Sequence, residues 1–275
     1  MAERVRLTGP GAEVGRVPDY LGQPGPTFVH RLNPLTKATL ATVTAVAAVV
    51  LGGLAGPIAL VAIAVVLPAL VARVLGRLTR TALILALPIA LSAFLVNLFF
   101  FPGGRDILFR VGPIAATAEG LGFALEILVR ILAISGAVTL FYLTTRPADL
   151  VVDLERRGIS SRAAFVANAS VQTVPAMVDR AAQITAAQRA RGLDTEGNLW
   201  RRIRGIVPIV GPVILGAISE VEERTMALEA RGFTRPGRRT LLWSPADTGL
   251  ERVARWVLLA ALVALISARA TGAWA

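Results

Sequence analysis

Residues 82–101 read ALILALPIALSAFLVNLFFF, an unbroken run with no ionisable side chain. An α-helix needs about 20 such residues to cross the hydrocarbon core of a bilayer. The run closes on Phe99, Phe100 and Phe101 before Pro102, and aromatic residues gather at membrane interfaces. Upstream, two further apolar runs cover about 38–52 and 57–72. Gly52, Gly53, Gly56 and Pro57 separate them without a charge, which predicts a tight hairpin of two short membrane helices. Arg73, Arg77 and Arg80 mark the loop that follows. Downstream, a loop at 102–117 with few charges leads to a fourth run at about 118–144, and a fifth covers about 253–268. The fourth run holds Glu126 and Arg130, four apart on one helix face and so able to pair. Either the pair faces a bundle interior, as ionisable groups at membrane depth do, or the helix tilts and brings it near the surface.

Composition agrees. Of 275 residues 55% are hydrophobic and the mean hydropathy is +0.64, above the roughly 45–50% apolar content of soluble domains. Cysteine is absent and His30 is the only histidine, so disulfides, thiolate sites and multi-histidine metal sites are excluded. The net charge is +11, carried almost wholly by arginine, with Lys37 the only lysine. The basic residues sit between and after the apolar runs, as the positive-inside rule requires. No RNP, zinc-finger or basic-zipper pattern is present, so no nucleic-acid partner is expected. The polar stretch before Lys37 leaves no room for a signal-peptide core, and none is expected.

From Arg146 the chain becomes rich in Arg, Glu, Asp and Gln. Residues 148–157 read as a short amphipathic helix, with Leu150, Val151 and Leu154 on one side and Asp153, Glu155 and Arg156 on the other. Gly158 stops it. Two longer helices are predicted, from about Ser160 to Arg191 and from about Ile206 to Arg231. Each stops at a glycine, Gly192 and Gly232, the residue that best adopts the left-handed cap. The segment 203–218 is apolar but short. A crossing there would place Arg224, Arg231, Arg235, Arg238 and Arg239 outside, against the charge rule, so it is expected to pack on the membrane bundle from the cytoplasmic side. The fold expected is an all-α integral membrane protein with about five transmembrane helices. Its divisions are an N-terminal cytoplasmic segment (1–36), transmembrane helices one to four (37–145), a cytoplasmic helical module (146–245) and a C-terminal transmembrane helix (246–275).

One tripeptide occurs at both long-helix ends: Ala190-Arg191-Gly192 and Ala230-Arg231-Gly232. Dipole and cap geometry favour arginine and glycine at any helix C-terminus, so alone it marks two helix ends. Its surroundings are more specific. Glu220-Val221-Glu222-Glu223-Arg224-Thr225-Met226-Ala227-Leu228-Glu229-Ala230-Arg231-Gly232-Phe233 closely resembles the second coupling-helix end of the transmembrane T components (EcfT/CbiQ-like) of energy-coupling factor (ECF) type ABC transporters. Gln188-Arg189-Ala190-Arg191-Gly192 resembles the first. Leu143-Thr144-Thr145-Arg146-Pro147-Ala148-Asp149-Leu150 resembles the start of that family's coupling region. His30-Arg31-Leu32-Asn33-Pro34-Leu35-Thr36-Lys37 resembles its N-terminal signature, with Asn33 where an aspartate is more usual. The resemblance covers nearly the whole chain in the right order.

The resemblance implies a non-catalytic subunit of an importer in the plasma membrane, with long crossed coupling helices. Its partners would be two ABC-type ATPase subunits, gripping Arg191 and Arg231, and a membrane S subunit that binds a vitamin or transition-metal ion. No cofactor is expected: the chain has no Walker A pattern, nor a G-x-S-x-G, H-E-x-x-H or kinase set. Asp149, Asp153, Asp179, Glu220, Glu222 and Glu223 stand among arginines, so ion pairs and solvated faces are expected. The alternatives are a membrane-bound transferase, which needs convergent carboxylates or histidines, and a stand-alone permease, which needs polar residues on several spans.

Overall fold

The computed structural model describes residues 27–102, 106–111, 114–192, 199–233, 235 and 245–272. Residues 1–26, most of the expected N-terminal segment, lie outside them. The molecule is an all-α membrane protein, with one added β-hairpin among the described residues. It divides into two units, one of residues 20–153 and 244–275 and the other of residues 154–243.

The first unit opens with a single turn, α1 (Phe28–Arg31), and α2 (Pro34–Val50). Asn33 caps α2 by accepting Leu35 N–H at 2.9 Å, and Pro34 takes the first helical position. Order therefore begins before residue 37, with Val29 and Asn33 buried. After a turn, α3 (Ala55–Val61) runs through a π-turn at Ala62–Val66 into α4 (Leu67–Val71). Pro68 accounts for the π-turn. It has no N–H and its ring would meet the carbonyl four residues back, so the register widens and Leu67 N–H bonds Ala62 O.

Two long helices follow, α5 (Leu75–Phe100) and, after the hairpin, α6 (Ala118–Thr144). The buried face of α5 is a stripe of Leu78, Ala82, Ala86 and Ala90 at intervals of four. α6 answers with Gly120, against Asn97 O and Phe101, and Ala124, while its other side sets Gly136 under Val65. Small residues let helix backbones approach in lipid, where no hydrophobic force drives them together. The two run antiparallel, with Ser135 Oγ donating to Ala82 O at 3.2 Å. Their outward side chains, Ile84, Leu87 and Ile89 among them, are exposed, as a lipid-facing surface should be. The core gathers Val65, Ala69, Leu78, Ala137 and Leu140.

Strands β1 (Ile107–Val111) and β2 (Ile114–Thr117) form an antiparallel hairpin where a plain loop was expected. Strands this short carry almost no periodicity. Tertiary contact supplies what sequence does not, with Phe99 edge-on to Phe109 at 6.0 Å. α7 (Pro147–Arg156) precedes the second unit's helices α8 (Ser161–Ala190) and α9 (Leu199–Ala230), and α10 (Gly249–Ala270) returns to the first unit. By length and composition α5, α6 and α10 can cross a membrane, while Pro34–Val50 and Ala55–Val71 are shorter apolar helices.

Two expectations need correction. Asp153 is not on a solvated face of α7 but 2% exposed. At about 100° per residue it lies about 60° from Leu150, flanking the apolar side and not opposite it. And α9 starts at Leu199, seven residues before the expected Ile206. Gly205 and Pro208 read as breakers, yet each proline removes one hydrogen bond from a long ladder that continues on both sides.

Candidate functional site

The second unit rests on the antiparallel pairing of α8 and α9. Ser160 caps α8 by accepting Ala163 N–H at 3.3 Å. Near the middle, Arg180 ties the pair. Its Nη1 donates to Gly216 O at 3.1 Å and lies 2.8 Å from Glu220 Oε2, while Glu220 Oε1 accepts from Arg224 at 2.8 Å. At one end Phe165, in the first turns of α8, meets Phe233 edge-on at 4.9 Å.

The two Ala-Arg-Gly tripeptides finish these helices. Gly192 has φ +90° and Gly232 φ +72°, the left-handed region where glycine has no steric penalty. At the second end Phe233 N–H bonds Leu228 O and Gly232 N–H bonds Glu229 O, both at 2.9 Å, which is a complete Schellman cap. At the first, Gly192 N–H bonds Arg189 O at 2.9 Å. Ala190, Arg191, Gly192, Ala230, Arg231 and Gly232 are all exposed. Neither Arg191 nor Arg231 makes an ion pair or side-chain hydrogen bond among the described residues.

The structure does not bring the tripeptides together. Phe233 lies against Phe165, so Arg231 marks one end of the pair and Arg191 the other. Twenty-six residues of α8 separate Phe165 from Arg191, roughly 40 Å at 1.5 Å per residue. Each end offers a guanidinium with free donors over the negative end of a helix dipole, an arrangement suited to a partner's carboxylates or carbonyls. Between the ends, Phe165, Ala169, Met177, Val178, Val221 and Leu228 line an open groove of about 640 Å³ with Arg224 at its edge.

Sequence reasoning missed a polar centre in the first unit. Asn33 N–H donates to Glu251 Oε1 at 2.9 Å, and its Nδ2 donates to Ala246 O at 3.2 Å. Glu251 closes a capping box with Thr248. Arg255 donates to Thr36 Oγ1 at 3.0 Å and to Asp247 Oδ1 at 2.8 Å. Lys37 Nζ donates to Thr144 O at 2.6 Å and His30 O at 3.2 Å. The N-terminal signature thus joins α2 to the starts of α10 and to the end of α6. The signal that could have found it is Thr248-x-x-Glu251, a capping-box pattern. Burial, and then the Lys37 charge, hold His30 below its ordinary value. Burial raises Asp149, against the pull of Arg146 and Lys37.

Glu126 and Arg130 do pair, at 3.1 Å, and Arg130 also donates to Leu51 O at 3.3 Å. Lys37 to Leu51 and Thr144 to Arg130 are equal stretches of helix, about 21 Å each. The pair therefore sits at the level of the turn after α2 and faces it, inside the bundle yet near a helix end.

A family model described as CbiQ, cobalt transport protein, matches residues 25–241. The chain is similar to proteins named energy-coupling factor transporter transmembrane protein EcfT. The Bacillus subtilis protein is 28% identical over 258 residues, covering 89% of this chain and 96% of its own length. That of Thermosediminibacter oceani is 28% identical over 229 residues, 79% and 84%. That of Streptococcus equi is 32% identical over 162 residues, 54% of this chain and 60% of the relative.

Proposed function

The chain belongs to the CbiQ/EcfT family of multi-pass transporter membrane proteins, and on that basis we propose that it is the T subunit of an ECF-type importer. It transmits ATP-driven motion from two ABC-type ATPase subunits to a membrane S subunit, and catalyses no reaction itself. Arg191 and Arg231 each dock on one ATPase. The observation that carries this is the pair of exposed arginine-tipped helix ends, roughly 40 Å apart along one helix pair. Two separated ends address two partners, which one clustered site would not. Apolar side chains left exposed along the pair, Val166, Val174, Ile214 and Leu215 among them, form the face offered to the S subunit. The substrate, a vitamin or transition-metal ion, is bound by that subunit. The N-terminus and the 154–243 unit lie on the cytoplasmic side of the plasma membrane, where the arginine-rich loops belong.

Charge reversal tests it. Arg191→Glu with Arg231→Glu removes the dipole gain, about 0.3–1 kcal/mol per site in folding. Loss of a buried, hydrogen-bonded charge contact costs roughly 2–5 kcal/mol in binding. Expression and insertion should stay near normal while ATPase co-purification and transport are lost. Arg238→Glu with Arg239→Glu makes the same charge change outside the motifs. If both double variants behave alike, the arginines are only part of a basic surface.

A further inference from the structure

The first unit contains a second groove, of about 250 Å³, between α2, α4 and α6. Its lining is apolar apart from Thr44 and, at one end, Lys37 and Thr144. Leu40, Ala41, Leu67, Pro68, Leu140 and Phe141 form its walls, and Lys37 closes it beside Thr144. We propose that this groove binds one acyl chain of an anionic phospholipid, with the Lys37 ammonium engaging the lipid phosphate.

Three observations carry the proposal. First, Lys37 is a buried cation with no direct ion pair among the described residues, Asp149 and Glu251 acting on it only from beyond ion-pair distance. It is 7% exposed, and its two partners are neutral backbone carbonyls. No carboxylate lies within ion-pair distance of it among the described residues, and two acceptors leave the third ammonium N–H free. A charge taken out of water gains from a counter-charge in direct contact, which neither carboxylate supplies. Second, the position matches a headgroup. Lys37 stands in the first turn of α2, and a basic side chain at a span's end reaches phosphate depth. Third, the walls match a chain. Phe28, Leu67 and Val71 edge the groove and are exposed by 70%, 57% and 49%, so its mouth is apolar. Its volume is below the roughly 300–1,000 Å³ of pockets that enclose a drug-sized molecule, which fits a segment of one chain better than a free solute. The π-turn at Ala62–Val66 places Ala64 on the wall, a local irregularity of the kind found at functional sites.

The test uses the full chain with its associated subunits, in phosphatidylcholine vesicles. Trace photoactivatable phosphatidylglycerol, with a diazirine in mid-chain, is compared with the matching phosphatidylcholine. Phosphatidylglycerol should label peptides carrying Leu40–Thr44 and Leu67–Val71 about fivefold more strongly, the preference one lysine gives near a membrane surface. Lys37→Gln should equalise the two lipids, Lys37→Arg should keep the preference, and Ala41→Leu should reduce labelling by both. Excess soluble glycerophosphate should not compete. Equal labelling of the wild type by both lipids means ordinary lipid contact and overturns the proposal. So does displacement by glycerophosphate, which marks a site for free phosphate. Labelling of α5 but never of these peptides also overturns it, because another chain then covers the groove. If Lys37→Gln fails to insert, the wild-type preference and Ala41→Leu decide the outcome.

Discussion

Asn33 is fully buried and uses both ends of its amide. Its Oδ1 accepts from Leu35 N–H, and its Nδ2 donates to Ala246 O. An aspartate, which the family resemblance leads one to expect here, would keep the cap but lose the donor. It would also put a carboxylate beside Glu251, which accepts Asn33 N–H, and share Arg255, 3.4 Å from Oδ1, with Asp247. Asn33→Asp should therefore destabilise the chain by about 1–3 kcal/mol, read as a lower midpoint of thermal unfolding in detergent. A rise in stability would mean that the α2–α10 junction tolerates the extra charge. His30, in the same region, predicts a pH effect. Its folded value is below the ordinary 6.5, by burial first and Lys37 second. A depressed base contributes stability that is present above the unfolded value and lost as pH falls through the folded one. Asp149 is raised by burial, so its contribution is present below the ordinary carboxylate value and lost as pH rises through the folded one. The windows differ. Stability lost between about pH 7 and about pH 5 should be smaller in His30→Gln than in wild type. An unchanged profile would remove His30 from that account.

At the scale of elements, the α8–α9 pair is held by few polar links. Arg180 bridges Gly216 O and Glu220, with side chains about a third and a quarter exposed. An ion pair that wet contributes about 0.5–1 kcal/mol. Arg180→Ala should thus cost little stability and leave the proposed ATPase docking intact, because Arg191 and Arg231, the residues proposed to dock, lie elsewhere. Transport should fall more than binding, since helices that slip at their tie transmit less displacement. Equal loss of ATPase binding and transport would place Arg180 in docking instead. Gly216 gives a contrast at the same tie. A Cβ there would meet Arg180 Cδ at 3.6 Å, an ordinary contact, so Gly216→Ala should stabilise α9 by about 0.5–1 kcal/mol. Helix ends were readable from sequence at this scale, because Gly192 and Gly232 take a backbone conformation that other residues resist. The start of α9 was not, because a proline's local cost does not say whether the flanking turns outlast it.

At the scale of the molecule, the proposed topology can be checked with single cysteines, since the chain has none of its own. Ala55→Cys and Asp106→Cys should label from outside, and Ala187→Cys and Glu229→Cys only from inside. Opposite labelling of the last two would mean that α9 crosses the membrane. The span at 82–101, the run at 118–144 and the two Ala-Arg-Gly helix ends were all legible in the amino-acid order. Lipid demands a continuous apolar length, and a left-handed cap demands glycine; both are local requirements, written in consecutive residues. Tertiary structure alone decided the rest. Asn33 meets Glu251 from 218 positions away, the hairpin at 107–117 forms beside Phe99, and Asp153 is buried despite its charge. It also set Arg191 and Arg231 at opposite ends, because the packing of Phe165 on Phe233 makes α8 and α9 antiparallel. Such pairings depend on which distant surfaces meet, and a side chain's burial or partner follows from that meeting, not from its neighbours in the chain.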